Sequence, residues 1–277
     1  MNALEAFVAL LGGHGRAALP LLAVAAQVPR YADPTCDADA VLQQVRDWAG
    51  QLRARVAADA STPNRLRLLN HFFFAELGFR GAGEDYDRAE NSYLHRVIAR
   101  RRGIPITLSL LYVEVGRAAG LRLQGVSFPG HFLVTLRTGE GSLFIDVFGG
   151  GVTLSAGDLR ARLREAMPQS PEAALAPYLR AADDREMLAR LLRNLKTLHW
   201  NAQQWPAALE VAHRLVAVLP HSAEERRDRA LLYERLECPR AAVADWVAYL
   251  SMSPSPPDAA GARERLARLQ QAAARLN

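Results

Sequence analysis

Lysine is almost missing from this chain: Lys196 is the only one in 277 residues, so arginine carries nearly all of the positive charge. A formal net charge of +5 and a pI near 9.6 point towards nucleic acid. Acidic residues, however, are interleaved with the arginines throughout. An arginine-for-lysine bias of this kind reads as a base-composition habit of the source genome, and a dedicated nucleic-acid surface is not expected. Cysteine is nearly as scarce. Cys36 and Cys238 stand far apart, with no spacing that resembles a disulfide or zinc framework, which suits a reducing compartment. Membrane-length hydrophobic runs are lacking too. The apolar run from Ala17 to Val28 is too short to span a bilayer, and the stretch before it has no basic n-region and carries Glu5. Packed N-terminal helices in a cytoplasmic protein are therefore expected, with neither a metal site nor a cofactor.

The remaining composition is that of an ordinary globular chain, half hydrophobic and 23% charged, long enough for two domains or one large one. The first hundred residues read as short amphipathic helices. "LEAFVALL" is one. Asp37 is placed to cap another that carries Val41, Leu42, Val45 and Trp48 on one face. "NRLRLLNHFFFAELGF" is a third, and its aromatics at 72, 73 and 74 read as core packing rather than as a ligand box. A Gly- and Asp-rich loop, "RGAGEDYD", leads to the helix "NSYLHRVIAR".

Next comes "RRRGIPITLSLLYVEVGRAAGL", residues 100–121, where Gly103 reads as the end of one helix and Pro105 as the first turn of another. From Thr107 to Ala119 the only charges are Glu114 and Arg117, so this helix is apolar all round and has to be buried. Its start presents free N–H groups and positive dipole, a setting that favours an anion or a thiolate. Helical spacing groups Pro105, Ser109, Tyr112 and Gly116 on one face, and Thr107, Leu111 and Glu114 on another.

After Gly120 the pattern alternates. "QGVSFPGHFLVTL" and "SLFIDVF" read as two strands joined by the hairpin turn "RTGEG", and "GGG" at 149–151 ends the second. A turn centred near Gly139 brings His131, on the first strand, opposite or diagonal to Asp146 on the second. An imidazole oriented by a carboxylate is two-thirds of a nucleophilic triad, although across a hairpin such a pair is more often structural. Ser155 with Asp158 opens a further helix as a capping-box variant. Helices followed by a hairpin make residues 1–165 an α+β domain.

Residues 183–277 read as entirely helical, and they repeat. "QQWPAALEVAHRLVAVLP" and "ECPRAAVADWVAYLSMSP" align at an offset of 34, with Trp205 on Pro239, Ala207 and Ala208 on Ala241 and Ala242, and Pro220 on Pro254. Upstream, Asn194 falls on Asp228 and Leu198 on Leu232. That period, with small residues where paired helices cross, is the tetratricopeptide signature. "SPSPPD" reads as a turn and "GARERLARLQQAAARL" as a closing helix.

The order of buried helix after "RRG", "GHF" on a strand and "FIDVF" on the next resembles the transglutaminase-like core of the papain-like cysteine enzymes. More closely, "NSYLHRVIARRRGIPITLSLLY", "PGHFLV" and "LFIDVFGGG", followed by helical repeats, resemble the SirB-type bacterial family, described as regulators of sirC expression with transglutaminase-like and tetratricopeptide domains. The resemblance covers nearly the whole chain. It implies a helical N-terminal region, an α+β transglutaminase-like core and an all-α repeat domain. It matches His131 to the catalytic histidine and Asp146 to its orienting aspartate. Aligning Arg117 and Gly120 with the family's "R-x-x-G" puts Pro105 where the cysteine belongs, so thiol chemistry at that position is in doubt. Cys36, in an acidic context, and Cys238, in the repeats, are both expected to be inert.

Two readings follow. The preferred one is a binding or regulatory module, with a protein or peptide partner held by the repeats and the core groove. The other is a hydrolase or acyltransferase whose nucleophile is Ser109 or Thr107, activated by His131 across hydrogen-bonding distance. On the first reading Ser109 is a small buried hydroxyl bonding back to the Pro105 carbonyl. A nucleic-acid role for Arg100, Arg101 and Arg102 is weaker, because three arginines that end a helix also complement its dipole.

Overall fold

The computed structural model describes residues 2–12, 19–139, 141–170, 172–253 and 258–274, and these divide into two compact units. One holds residues 16–191, the other residues 1–15 with 192–277. The reading by sequence separates 1–165 from 183–277. The compact units instead part within a single continuous helix, Asp184–Asn201, and group the first fifteen residues with the repeats.

In the first unit, α2 (Leu21–Gln27), α3 (Ala38–Arg55), α4 (Thr62–Asn70) and α5 (Leu94–Arg100) pack around one central helix. The Asp37 side chain caps α3 by accepting from the Ala40 N–H at 3.0 Å, and the face bearing Val41, Val45 and Trp48 is buried. The helix read through "NHFFFAEL" is not regular. After α4 the chain widens into a π-helical turn, His71–Glu76, with Phe72 and Phe73 both in the core.

The helix "LHRVIAR" ends differently from expectation. Arg101, not Gly103, takes the left-handed conformation, with φ of 56°. A side chain at positive φ is costly. Its guanidinium offsets that cost by lying over Trp48 and Phe79, 4.5 and 5.0 Å from the ring centroids. Gly103 instead belongs to a two-residue parallel bridge, with β1 (Arg80–Gly81) beside β2 (Arg102–Gly103). Arg100 faces Asn91 and Asp85, so two of the three arginines at 100–102 have work inside the fold.

The central helix is α6 (Pro105–Arg117), and every residue from Pro105 to Val113 is buried, as its lack of a polar face requires. Against it lies a four-stranded antiparallel meander of β3 (Leu123–Val126), β4 (Leu133–Arg137), β5 (Ser142–Asp146) and β6 (Val152–Leu154). The segment read as one strand, "QGVSFPGHFLVTL", is thus two strands. Pro129 and Gly130, with φ of 68° at Gly130, turn the chain between them, because proline gives no ladder hydrogen bond. In the next hairpin Val134 pairs with Ile145 and Arg137 with Ser142. Part of its "RTGEG" turn, Glu140, lies outside the described residues. Helix α7 (Ala156–Ala166) starts at the Ser155–Asp158 capping box, Ser155 N–H donating to Asp158 Oδ2 at 2.8 Å.

The repeat unit contains α1 (Ala3–Gly12), the C-terminal part of α8 (Asp184–Asn201), α9 (Trp205–Val218), α10 (Ala223–Arg235), α11 (Pro239–Met252) and α12 (Ala259–Ala274). The sequence period reappears in the backbone. Helices α9 and α11 start and stop at equivalent positions, and Gln203 and Glu237, one repeat apart, both have φ of 55°. Pro254 and most of the "SPSPPD" turn lie outside the described residues. Ion pairs tie the repeat together. Lys196 reaches Glu225 and Asp228, and Asp245 is clasped by Arg226 and Arg229.

Candidate functional site

The meander positions the site. Asp146 is the last residue of β5, and His131 sits in the turn just before β4, its N–H donating to Phe128 O at 3.1 Å. His131 is therefore not on the strand itself. The β4–β5 register still sets it diagonally across from Asp146, with Nε2 2.9 Å from Asp146 Oδ1. Asp146 is 2% exposed. Its Oδ1 also accepts the Gly149 N–H at 2.9 Å, and its Oδ2 accepts from Arg162 of α7 at 2.8 Å. A Cβ at position 149 would stand 2.8 Å from that carboxylate, so glycine permits the close approach.

Burial alone would raise the Asp146 pKa. The His131 hydrogen bond, the Gly149 N–H and the charges of His131 and Arg162 overcome it and bring the value down to about 2. The carboxylate is ionised at neutral pH and can only accept, so the proton between the pair belongs to His131 Nε2. The Phe148 ring meets the imidazole edge-on, with centroids 6.0 Å apart.

Neither hydroxyl considered as a nucleophile joins this pair. Thr107 is fully buried, and its Oγ1 accepts the Ile104 N–H at 3.1 Å and donates to Asn91 O at 2.9 Å. It caps the helix start. Ser109 is also fully buried, and its Oγ has no hydrogen-bond partner, neither His131 nor the expected Pro105 carbonyl. Thr107→Val keeps the shape and removes both bonds. It is expected to cost about 1–2 kcal/mol in urea unfolding, and an unchanged midpoint would show that the cap contributes nothing.

Arg162 and the Gly149 N–H are site groups that the sequence did not reveal. An arginine on an amphipathic helix reads as a solvated face, and only its placement beside the meander shows otherwise.

The two parts of the chain, the unit built around α6 and the helical repeats, each match a family model. Residues 39–193 match the transglutaminase-like superfamily, and residues 195–267 match a tetratricopeptide repeat. The chain belongs to the SirB-type transglutaminase-like family. A UPF0162 protein of Xylella fastidiosa is 38% identical over 239 residues, 86% of this chain and 85% of that protein. Protein SirB1 of Salmonella typhimurium is 28% identical over 198 residues, 71% of this chain and 73% of that protein. F-box only protein 21 of Mus musculus is 42% identical over 98 residues, 32% of this chain and 16% of its own length. As a SirB-type protein the chain joins a transglutaminase-like unit to repeats that generally mediate protein–protein interaction, a combination that fits a regulatory or protein-binding role.

The repeats hold a cavity of about 590 Å³, lined by Lys196, Trp200, Arg227, Asp228, Trp246 and Arg265 among others. Aromatic surface flanked by charges of both signs can hold a polar peptide. Among the described residues, no group of His, Cys, Asp and Glu is arranged to hold a metal ion, and no helix is long and apolar enough to cross a membrane.

Proposed function

We propose that this SirB-type protein is a non-catalytic, cytoplasmic regulator that binds a protein or peptide partner through its repeat cavity, on a degenerate transglutaminase-like core. The observation that carries the reading is the start of α6. Pro105 stands where the family resemblance puts the cysteine, the nearby Thr107 hydroxyl is committed to the helix cap, and Ser109 makes no bond to His131. The His131–Asp146–Arg162 cluster then serves as a structural clasp that holds the turn before β4 against β5 and α7.

Gly261→Arg tests the binding half. Position 261 lines the cavity, and a Cβ there meets nothing within 4 Å, so the long side chain fills the groove without disturbing the packing. Partners retained by the wild-type chain and identified by mass spectrometry are expected to bind at least tenfold more weakly to this variant. Equal retention by both proteins would move binding away from the repeats. The catalytic half is tested by intact-mass analysis after exposure to activated esters. No acyl adduct is expected on the α6 hydroxyls. Turnover that disappears in Ser109→Ala or Thr107→Val would replace this reading with a hydrolase or acyltransferase.

A further inference from the structure

The first unit contains a second imidazole beside a carboxylate, this one with a thiol at its other nitrogen, built from residues that the His131 site does not use. Cys36 precedes the cap of α3, and His95 lies in α5. Cys36 Sγ is 3.4 Å from His95 Nδ1, and His95 Nε2 is 3.3 Å from Asp33 Oδ2. The thiol and the carboxylate thus face opposite nitrogens of one ring. A metal ion cannot gather three ligands arranged in that way, whereas the thiol proton can pass to the facing Nδ1, and Asp33 acts on Nε2 through its charge, with no hydrogen bond between them. The ring is held in place. Tyr93 stacks on it with centroids 6.2 Å apart, and the Tyr93 hydroxyl bonds to that of Tyr31 at 2.9 Å. Asp33 is fixed by the Thr35 hydroxyl at 2.6 Å and by Arg96 at 3.3 Å.

We infer that Cys36 is a peroxide-reactive thiol, with His95 as the base that accepts its proton and Asp33 as the residue that positions that base. The sulfur is 8% exposed as part of its residue, so a small neutral reagent suits it better than a bulky acyl donor. In the step, the sulfur attacks one peroxide oxygen. An S–O bond forms as the O–O bond breaks, and the thiol proton passes to His95 Nδ1 and on to the departing hydroxide as water. The thiol becomes a sulfenic acid, and its two electrons reduce the peroxide.

The protonation states agree with this order of events. Burial, with Asp33 and Asp37 adding to it and Arg30 and Arg96 opposing, pushes the Cys36 thiol up. Burial and Arg96 push His95 down against the pull of Asp33. At neutral pH the sulfur keeps its proton and the imidazole is free to take it. Reaction therefore depends on His95 rather than on standing thiolate. Cys238 is exposed and its thiol donates to the Leu236 carbonyl at 3.4 Å, so it is removed in the test to leave Cys36 as the only thiol.

The test uses the full chain carrying Cys238→Ser, treated with hydrogen peroxide and trapped with dimedone, and reads the Cys36 adduct by mass spectrometry. His95→Gln is expected to slow trapping at least tenfold. Asp33→Asn is expected to slow it severalfold and to move the acid limb of the pH–rate profile to lower pH, because the charge that favours the imidazolium is gone. Equal rates in His95→Gln, or no adduct on Cys36, would overturn the inference. Should a variant fail to fold, the profile of the Cys238→Ser protein decides. A rate that levels off above the His95 ionisation supports the relay. A rate that climbs tenfold per pH unit towards the thiol's own ionisation overturns it.

Discussion

Tyr112→Ala is expected to cost the first unit about 3–5 kcal/mol, the range for removing a buried aromatic ring, and Tyr112→Phe about 1–2 kcal/mol. Tyr112 lies in the middle of α6 and is completely buried. Its ring meets Phe73 edge-on at 5.3 Å and Phe74 at 5.9 Å, so truncation opens a hole among aromatics that cannot close around it. Its hydroxyl donates to Asn70 Oδ1 at 2.6 Å, while Asn70 Nδ2 donates to Gly151 O at 3.2 Å. Phenylalanine keeps the packing and strands only the Asn70 acceptor. The difference between the two variants in urea unfolding then separates ring from hydroxyl. Against a total stability of about 5–15 kcal/mol, the alanine variant is expected to be partly unfolded at 37 °C. If both variants unfold at the same urea concentration, α6 is not held by the packing described here.

That helix was the most legible part of the chain, because a thirteen-residue segment without a polar face has few places to go. The repeat was equally legible, since each unit is local and its period recurs in the backbone at Gln203 and Glu237. The proximity of His131 to Asp146 could be read from a turn position, because a hairpin converts sequence spacing directly into cross-strand distance. What escaped reading depends on contacts that no period encodes. Arg101 takes a left-handed backbone with its guanidinium over Trp48 and Phe79, which are distant in sequence. Arg162 reaches Asp146 from another element. Cys36 and His95, 59 positions apart, meet only through the packing of helices against each other.

Asp146 is expected to contribute measurably to the acid stability of the first unit. Its pKa of about 2 in the folded chain lies below the unfolded value of 3.8. A depressed carboxylate contributes stability above its unfolded pKa and loses it as pH falls through the folded one. The loss is thus expected between about pH 4 and pH 2, amounting to about 2 kcal/mol by linkage. The group is almost wholly buried, so solvent screens little of this. Other carboxylates also titrate over that range. Comparison with Asp146→Asn isolates this one, because the amide keeps an acceptor for the Gly149 N–H but cannot ionise. Urea unfolding of the two proteins at a series of pH values should give curves about 2 kcal/mol further apart at pH 5 than at pH 2, with the wild type the more stable at pH 5. Parallel curves would mean that Arg162 and His131 do not stabilise the carboxylate. The clasp assigned to this cluster under the non-catalytic reading would then have no energetic basis.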